Sequence, residues 1–225
     1  NQALLGRIKK SAGIFKIPLI YFGGYFPQVK RPYNRMNRYA VKCEGQDYTP
    51  FSYEDSYINQ CIDEGCSSEE IIRRVTETPV YDTEKIKKML EQEWKRIRFQ
   101  EMETDVKILE YLQSHFQRER LFRNEAHMEN AVVRQYAVQI MERLGIKPDL
   151  MPAETTAEPF FFCSQHPIFP CTAEALGLTW DVTEEKLDLY TYQGWKKITF
   201  REYLEEYIDS CTRIRELKER ALLPI

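Results

Sequence analysis

This 225-residue sequence lacks any apolar run approaching the roughly 20 residues that a membrane-spanning helix needs. Its first residues show no signal-peptide pattern, so the chain reads as cytoplasmic, with membrane association left to partners. A strong charge of one sign is also missing: the net charge is −3, too slight to draw nucleic acid by electrostatics. Histidine is scarce, and His115, His127 and His166 are not arranged as zinc ligands. None of the six cysteines (Cys43, Cys61, Cys66, Cys163, Cys171, Cys211) forms a Cys-x-x-Cys pair. A chain this long does not need disulfide staples, so reduced, mostly buried thiols are expected. No cysteine has a local signature that singles it out as a nucleophile, although that role stays open. No carboxylate pair stands in a setting that suggests glycoside hydrolysis, and Asp55 and Asp63 read as exposed helix residues. Internal repeats and low-complexity segments are absent.

What is present is an ordinary globular composition, 43% hydrophobic, 13% aromatic and 30% charged, with 14 tyrosines and 12 phenylalanines to line a core or a cleft. The expected class is α/β and helix-rich: a small, mostly parallel sheet flanked by helices, with one long helical region. Residues 1–225 read as a single domain, with 147–159 as its one plausible linker. Residues 14–22, IFKIPLIYF, form an almost unbroken apolar run bounded by glycine, the mark of a buried, parallel strand. Pro18 cannot donate to a ladder and marks a bulge, an end or an unpaired side. Gly23-Gly24-Tyr25-Phe26-Pro27-Gln28 follows, where a double glycine makes either a tight turn or a close approach of main chain to ligand. Between 29 and 50, Lys30, Arg31, Arg35, Arg38 and Lys42 interleave with Tyr33, Tyr39 and Tyr48. Such a stretch could grip a phosphate and stack an adenine, or equally be a solvated loop.

Helix signals then accumulate. Residues 52–64 look helical and end at Gly65, Ser67 with Glu70 forms a capping box, and Asp82 is a plausible N-cap. The helical region from 83 to about 119 slips in phase near 101–105, which suits two helices as well as one kinked one. From Leu121 to Gly145 a polar turn, Arg123-Asn124-Glu125, precedes His127 and Asn130. Val132, Val133, Tyr136, Ala137, Ile140, Met141 and Leu144 then recur at helical spacing, and Gly145 sits where a C-terminal cap belongs. An imidazole and an amide at a helix N-terminus suit an anion or developing charge, or else simply cap the helix. Further on, a short helix over 172–176 ends at Gly177, the segment around Gly194 resembles a β-hairpin or an extended turn, and Thr199 with Glu202 opens an amphipathic closing helix.

Three stretches resemble the WcbI-type family of polysaccharide-biosynthesis enzymes, regarded as acetyltransferases of bacterial capsule assembly. IPLIYFGGYFPQ (17–28) resembles its apolar strand and Gly-Tyr-His-Pro turn. LFRNEAHMENAVVRQYAVQIMERLGI (121–146) resembles its Leu-Phe, His-Pro-x-Asn and Leu-Gly-Ile block. PIFPCTAEALGLTWD with KITFREYLEEYI (167–181, 197–208) resembles its Leu-Gly-Leu and closing-helix segment. Phe26 stands at the turn histidine and Met128 at the proline after the second one. Family members begin with a strand leading into Gly-Asn-Cys-Gln, whereas this sequence starts at Asn1-Gln2, so the N-terminal part of the family domain is expected to be missing.

The resemblance implies acyl transfer from acetyl-coenzyme A to a sugar hydroxyl of a polysaccharide precursor, within a chain that could form a homo-oligomer. His127 would be the base or nucleophile-activating residue, with Asn130 orienting it or the substrate. Gly23, Gly24, Tyr25 and Gln28 would line the coenzyme site, with Lys30, Arg31 or Arg123 near its phosphates. No resident metal is implied. The alternative is a catalytically degenerate member that binds a coenzyme, nucleotide or glycan, or scaffolds a synthesis assembly.

Overall fold

Side-chain caps set the helix starts in this computed structural model, which describes residues 13–30, 51, 53–147, 163–191 and 194–219. Asp55 caps α1 (Ser56–Asp63), its Oδ1 accepting the amides of Tyr57 and Ile58. That corrects the reading of Asp55 as an exposed helix residue: it is a buried cap, while Asp63 is exposed. Ser67 caps α2 (Ser68–Glu77) and Asp82 caps α3 (Thr83–Glu101). The phase slip is a real break, for α3 ends at Glu101 and α4 spans Leu109–His115. Glu101 Oε1 reaches over the break and accepts the amides of Ile108 and Leu109, so the end of one helix caps the next. After α5 (Asn130–Arg143) and α6 (Pro170–Leu176), Gly177 takes the left-handed φ of 65°. Thr199 and Glu202 exchange bonds reciprocally at the start of α7 (Phe200–Glu219).

The helix-rich class is borne out; the parallel sheet is not. Among the described residues there are three two-stranded antiparallel pairings: β1 (Val29–Lys30) with β2 (Glu54–Asp55), β3 (Phe122–Asn124) with β4 (His127–Met128), and β5 (Leu187–Thr191) with β6 (Gly194–Ile198). The run 14–22 forms no strand and pairs with none among the described residues. Lys16 O accepts the Asp105 amide and Lys16 N–H donates to the Asp105 carboxylate, while Phe22 N–H donates to Glu125 O. Pro18, Ile20 and Phe22 turn inward, whereas Ile17, Leu19 and Tyr21 face out. A period of two was therefore present, masked because both sets are apolar.

Two apolar clusters result. One gathers on Phe22, whose ring stacks on Phe122 at 4.7 Å and meets Tyr25 and Trp94 at 5.1 Å. The other joins Phe51, Ile58, Val75 and the inner face of α7, and Tyr81 packs against both. Gly24 belongs to the first: a Cβ there would lie 2.7 Å from the Phe22 ring, so the glycine is required by packing. The α5 stripe is narrower than its sequence implied. Only Val132 and Tyr136 are fully buried, and Leu144 is exposed. The basic loop 31–50 and most of the linker 147–159 lie outside the described residues, as do Arg31 and the side chain of Lys30.

Candidate functional site

A short hairpin, β3–β4, carries the polar chemistry of the 121–130 stretch. Its turn is made by Asn124, whose Oδ1 accepts the Ala126 amide (3.0 Å) and holds His127 Nδ1 (2.8 Å). Asn124 Nδ2 donates to Ser164 O at 3.2 Å and to Cys163 Sγ at 3.4 Å, which orients the amide. With an acceptor facing it, Nδ1 carries the ring proton, and Nε2 is the basic nitrogen of neutral His127. Burial holds this half-buried imidazole below its ordinary pKa. The charges of Arg123 and His166 push the same way, and Glu125 opposes them. The capping alternative is not what the geometry shows. Glu129 is the N-cap of α5 without a side-chain cap bond, Asn130 is already in the helix, and His127 turns back to Asn124.

Residues 163–166 run between β3 and β5, with His166 N–H donating to Arg123 O and Gln165 N–H to Asp188 O. They close a buried polar layer. Arg123, 2% exposed, donates to Asp188 Oδ2 (2.8 Å), Glu129 Oε2 (3.3 Å) and Cys163 O, and lies 5.7 Å from the Trp195 ring. Burial alone would raise the Asp188 carboxyl, but bonds from Lys197 and Arg123 outweigh it and hold the group below its usual range. Burial pushes the Cys163 thiol up, so it is protonated near neutral pH.

On the other side of the hairpin, Glu125 is 2% exposed and neither of its carboxylate oxygens accepts a hydrogen bond among the described residues. His166 Nδ1 lies 3.3 Å from Glu125 Oε2, and the His166 ring meets Phe26 and Tyr53 edge-on. Leaving a buried acceptor unmet costs about 1–3 kcal/mol, and more when it is charged.

Two cavities flank the stretch 125–130. The first, about 400 Å³, is walled by Tyr21, Gly23, Phe26, Val29 and Met89, with Glu93, Arg96 and Glu125 as its charged groups. The second is a polar cleft of about 280 Å³ lined by Arg120, Arg123, Asn130, Lys186 and Lys197 against Glu129, Glu185 and Asp188. Its arginines are committed: Arg120 grips Glu185 with two bonds, and Arg123 is held as above.

The residues singled out in the sequence are thus divided. Gly23 borders the first cavity, Arg123 and Asn130 the second, and His127 lies between Glu125 and Asn130 along the chain. Tyr25 and Gln28 are buried and bonded within the protein, to Phe116 O and Pro167 O. Asn124, Glu125, Cys163, His166 and Asp188 escaped the sequence reading. The signal was three polar residues wedged between the apolar pair Leu121-Phe122 and a helix, which a hairpin buries.

This helix-rich arrangement of short hairpins has the fold of a polysaccharide biosynthesis enzyme of known structure. The neighbour is WcbI, in its native form without a disulfide bond between coenzyme A and one of its cysteines. The likeness has a TM-score of 0.59 at 16% identity, over 88% of this chain and 61% of that one, and it is a likeness of fold. The chain belongs to the family described as polysaccharide biosynthesis enzyme WcbI, which it matches over residues 1–149. No curated protein matches it.

Proposed function

We propose that the chain transfers an acyl group, acetyl in the simplest case, from coenzyme A to a sugar hydroxyl during polysaccharide biosynthesis. The observation that carries this reading is the fixed tautomer of His127, held by Asn124, in a member of this family. In the reaction, His127 Nε2 accepts the proton of the acceptor hydroxyl as its oxygen attacks the thioester carbonyl. The C–S bond then breaks, and the coenzyme thiolate takes the proton to leave as the free thiol. Family resemblance supports coenzyme A as the donor, and the polar cleft would offer it Lys186 and Asn130, Lys197 being paired with Asp188 at 2.7 Å. Because Arg123 is neutralised by Asp188 and Glu129, it frames the cleft and does not serve as the phosphate ligand.

The test measures acetyl transfer from acetyl-coenzyme A to a panel of sugar acceptors, beside calorimetry with coenzyme A. Turnover that disappears in His127→Ala while coenzyme binding persists supports the reading. Coenzyme binding with no turnover on any acceptor sinks it and leaves the degenerate binder, a reading that Phe26 favours, being a buried ring where the family motif has a histidine.

A further inference from the structure

We infer that the cavity beside Gly23 is the acceptor subsite, holding one sugar ring with a hydroxyl donated to Glu125. This rests on the sugar-acceptor reading above. Glu125 lines the cavity, and its buried carboxylate, with His166 Nδ1 3.3 Å away, accepts no hydrogen bond among the described residues, a need that a ligand rich in hydroxyl protons would meet. Tyr21, Phe26, Val29 and Met89 present apolar surface to the C–H face of a pyranose, the usual pairing of a mostly apolar wall with one or two fixed polar groups. The volume of about 400 Å³ is at the small-ligand end of the range, suited to one ring. Glu93 is already paired with Arg96 at 2.5 Å, so glucosamine asks whether the remaining charge of Glu125 selects an ammonium group instead. Glu125 borders this cavity and Asn130 the polar cleft, at either end of the stretch that carries His127.

Saturation-transfer NMR and calorimetry with glucose, galactose and mannose, and with glucosamine as the ammonium probe, test this on the full chain. At least one neutral hexose should bind, and its Kd should rise about tenfold or more in Glu125→Gln. Gly23→Val should weaken the same sugar by filling the cavity. A Cβ at Gly23 meets nothing nearer than Glu93 Oε1 at 3.5 Å, so this variant carries the test if Glu125→Gln does not fold. Failure of every neutral hexose to bind at tens of millimolar overturns the proposal, as does unchanged binding in both variants or binding of glucosamine alone. Coenzyme A titrated into the same samples reads the other claim separately. Hexose binding that responds to both variants, with no coenzyme binding, would retain the subsite and remove the acyl-transfer reading.

Discussion

At His127, a single hydrogen bond decides the chemistry. The Asn124 carboxamide fixes which nitrogen is basic, and burial ensures that the ring is neutral at physiological pH. Replacing His127 with glutamine should lower kcat/KM for acyl transfer by about 10²–10⁴-fold with coenzyme A affinity unchanged. In the parent protein, kcat/KM should climb with pH through a pKa below 6.5 and level above it, since the deprotonated ring is the base. The same depression bears on stability. Between the folded pKa and 6.5 the unfolded chain binds more protons, so this group's contribution falls as pH drops through that window. A midpoint above 6.5 in the rate profile would assign the base elsewhere. Position 127 could be picked out in the sequence, its orienting partner could not. Asn130 was the amide expected there, but the bulged register of β3–β4 brings Asn124 opposite His127.

Among the elements, the segment 14–22 shows what periodicity conceals. Nine residues of mostly apolar character read as a strand buried on both faces, yet only alternate side chains are covered. Ile20 is 1% exposed and Leu19 67%. Urea denaturation should therefore find Ile20→Ala costing about 2–5 kcal/mol, while Leu19→Lys stays within about 0.5 kcal/mol. Equal losses at both positions would restore the doubly buried strand. Helix ends were easier to read than the sheet, because a cap is local: Ser67, Asp82 and Thr199 act on amides two or three residues away. Strand partners are not local, which is why the pairing of β1 with β2, more than twenty residues apart in sequence, went unseen. Asp55 belongs to both problems, as cap of α1 and member of β2. Burial pushes its carboxyl up to about 7 despite the amide bonds that lower it. Between 3.8 and about 7 the folded state holds a proton the unfolded chain has lost, so its contribution to stability falls as pH rises. Asp55→Asn should flatten that slope and keep the cap, whereas Asp55→Ala should cost about 1 kcal/mol.

Across the whole molecule, the buried guanidinium of Arg123 ties together pieces far apart in sequence. It joins β3 to the start of α5 through Glu129, to the 163–166 segment through Cys163 O, and to β5 through Asp188. An arginine after Leu121-Phe122 invited a reading as a phosphate ligand, because sequence gives charge but not the counter-charges that folding brings. Asp188 lies 65 residues away. A buried ion pair is a weak source of net stability, but removing one partner strands the other in a medium that solvates it poorly. Arg123→Ala should therefore lower the unfolding free energy by about 3–5 kcal/mol. Asp188→Ala should cost less, because Glu129 remains to balance the arginine. If the guanidinium is the tie between these elements, the double variant Arg123→Ala with Asp188→Ala should cost well under the sum of the single ones, with a coupling above about 1 kcal/mol in urea titrations. Strict additivity would mean that the two groups stabilise their own elements separately and that β5 is held near the hairpin through the main-chain bonds of residues 165 and 166 and by packing.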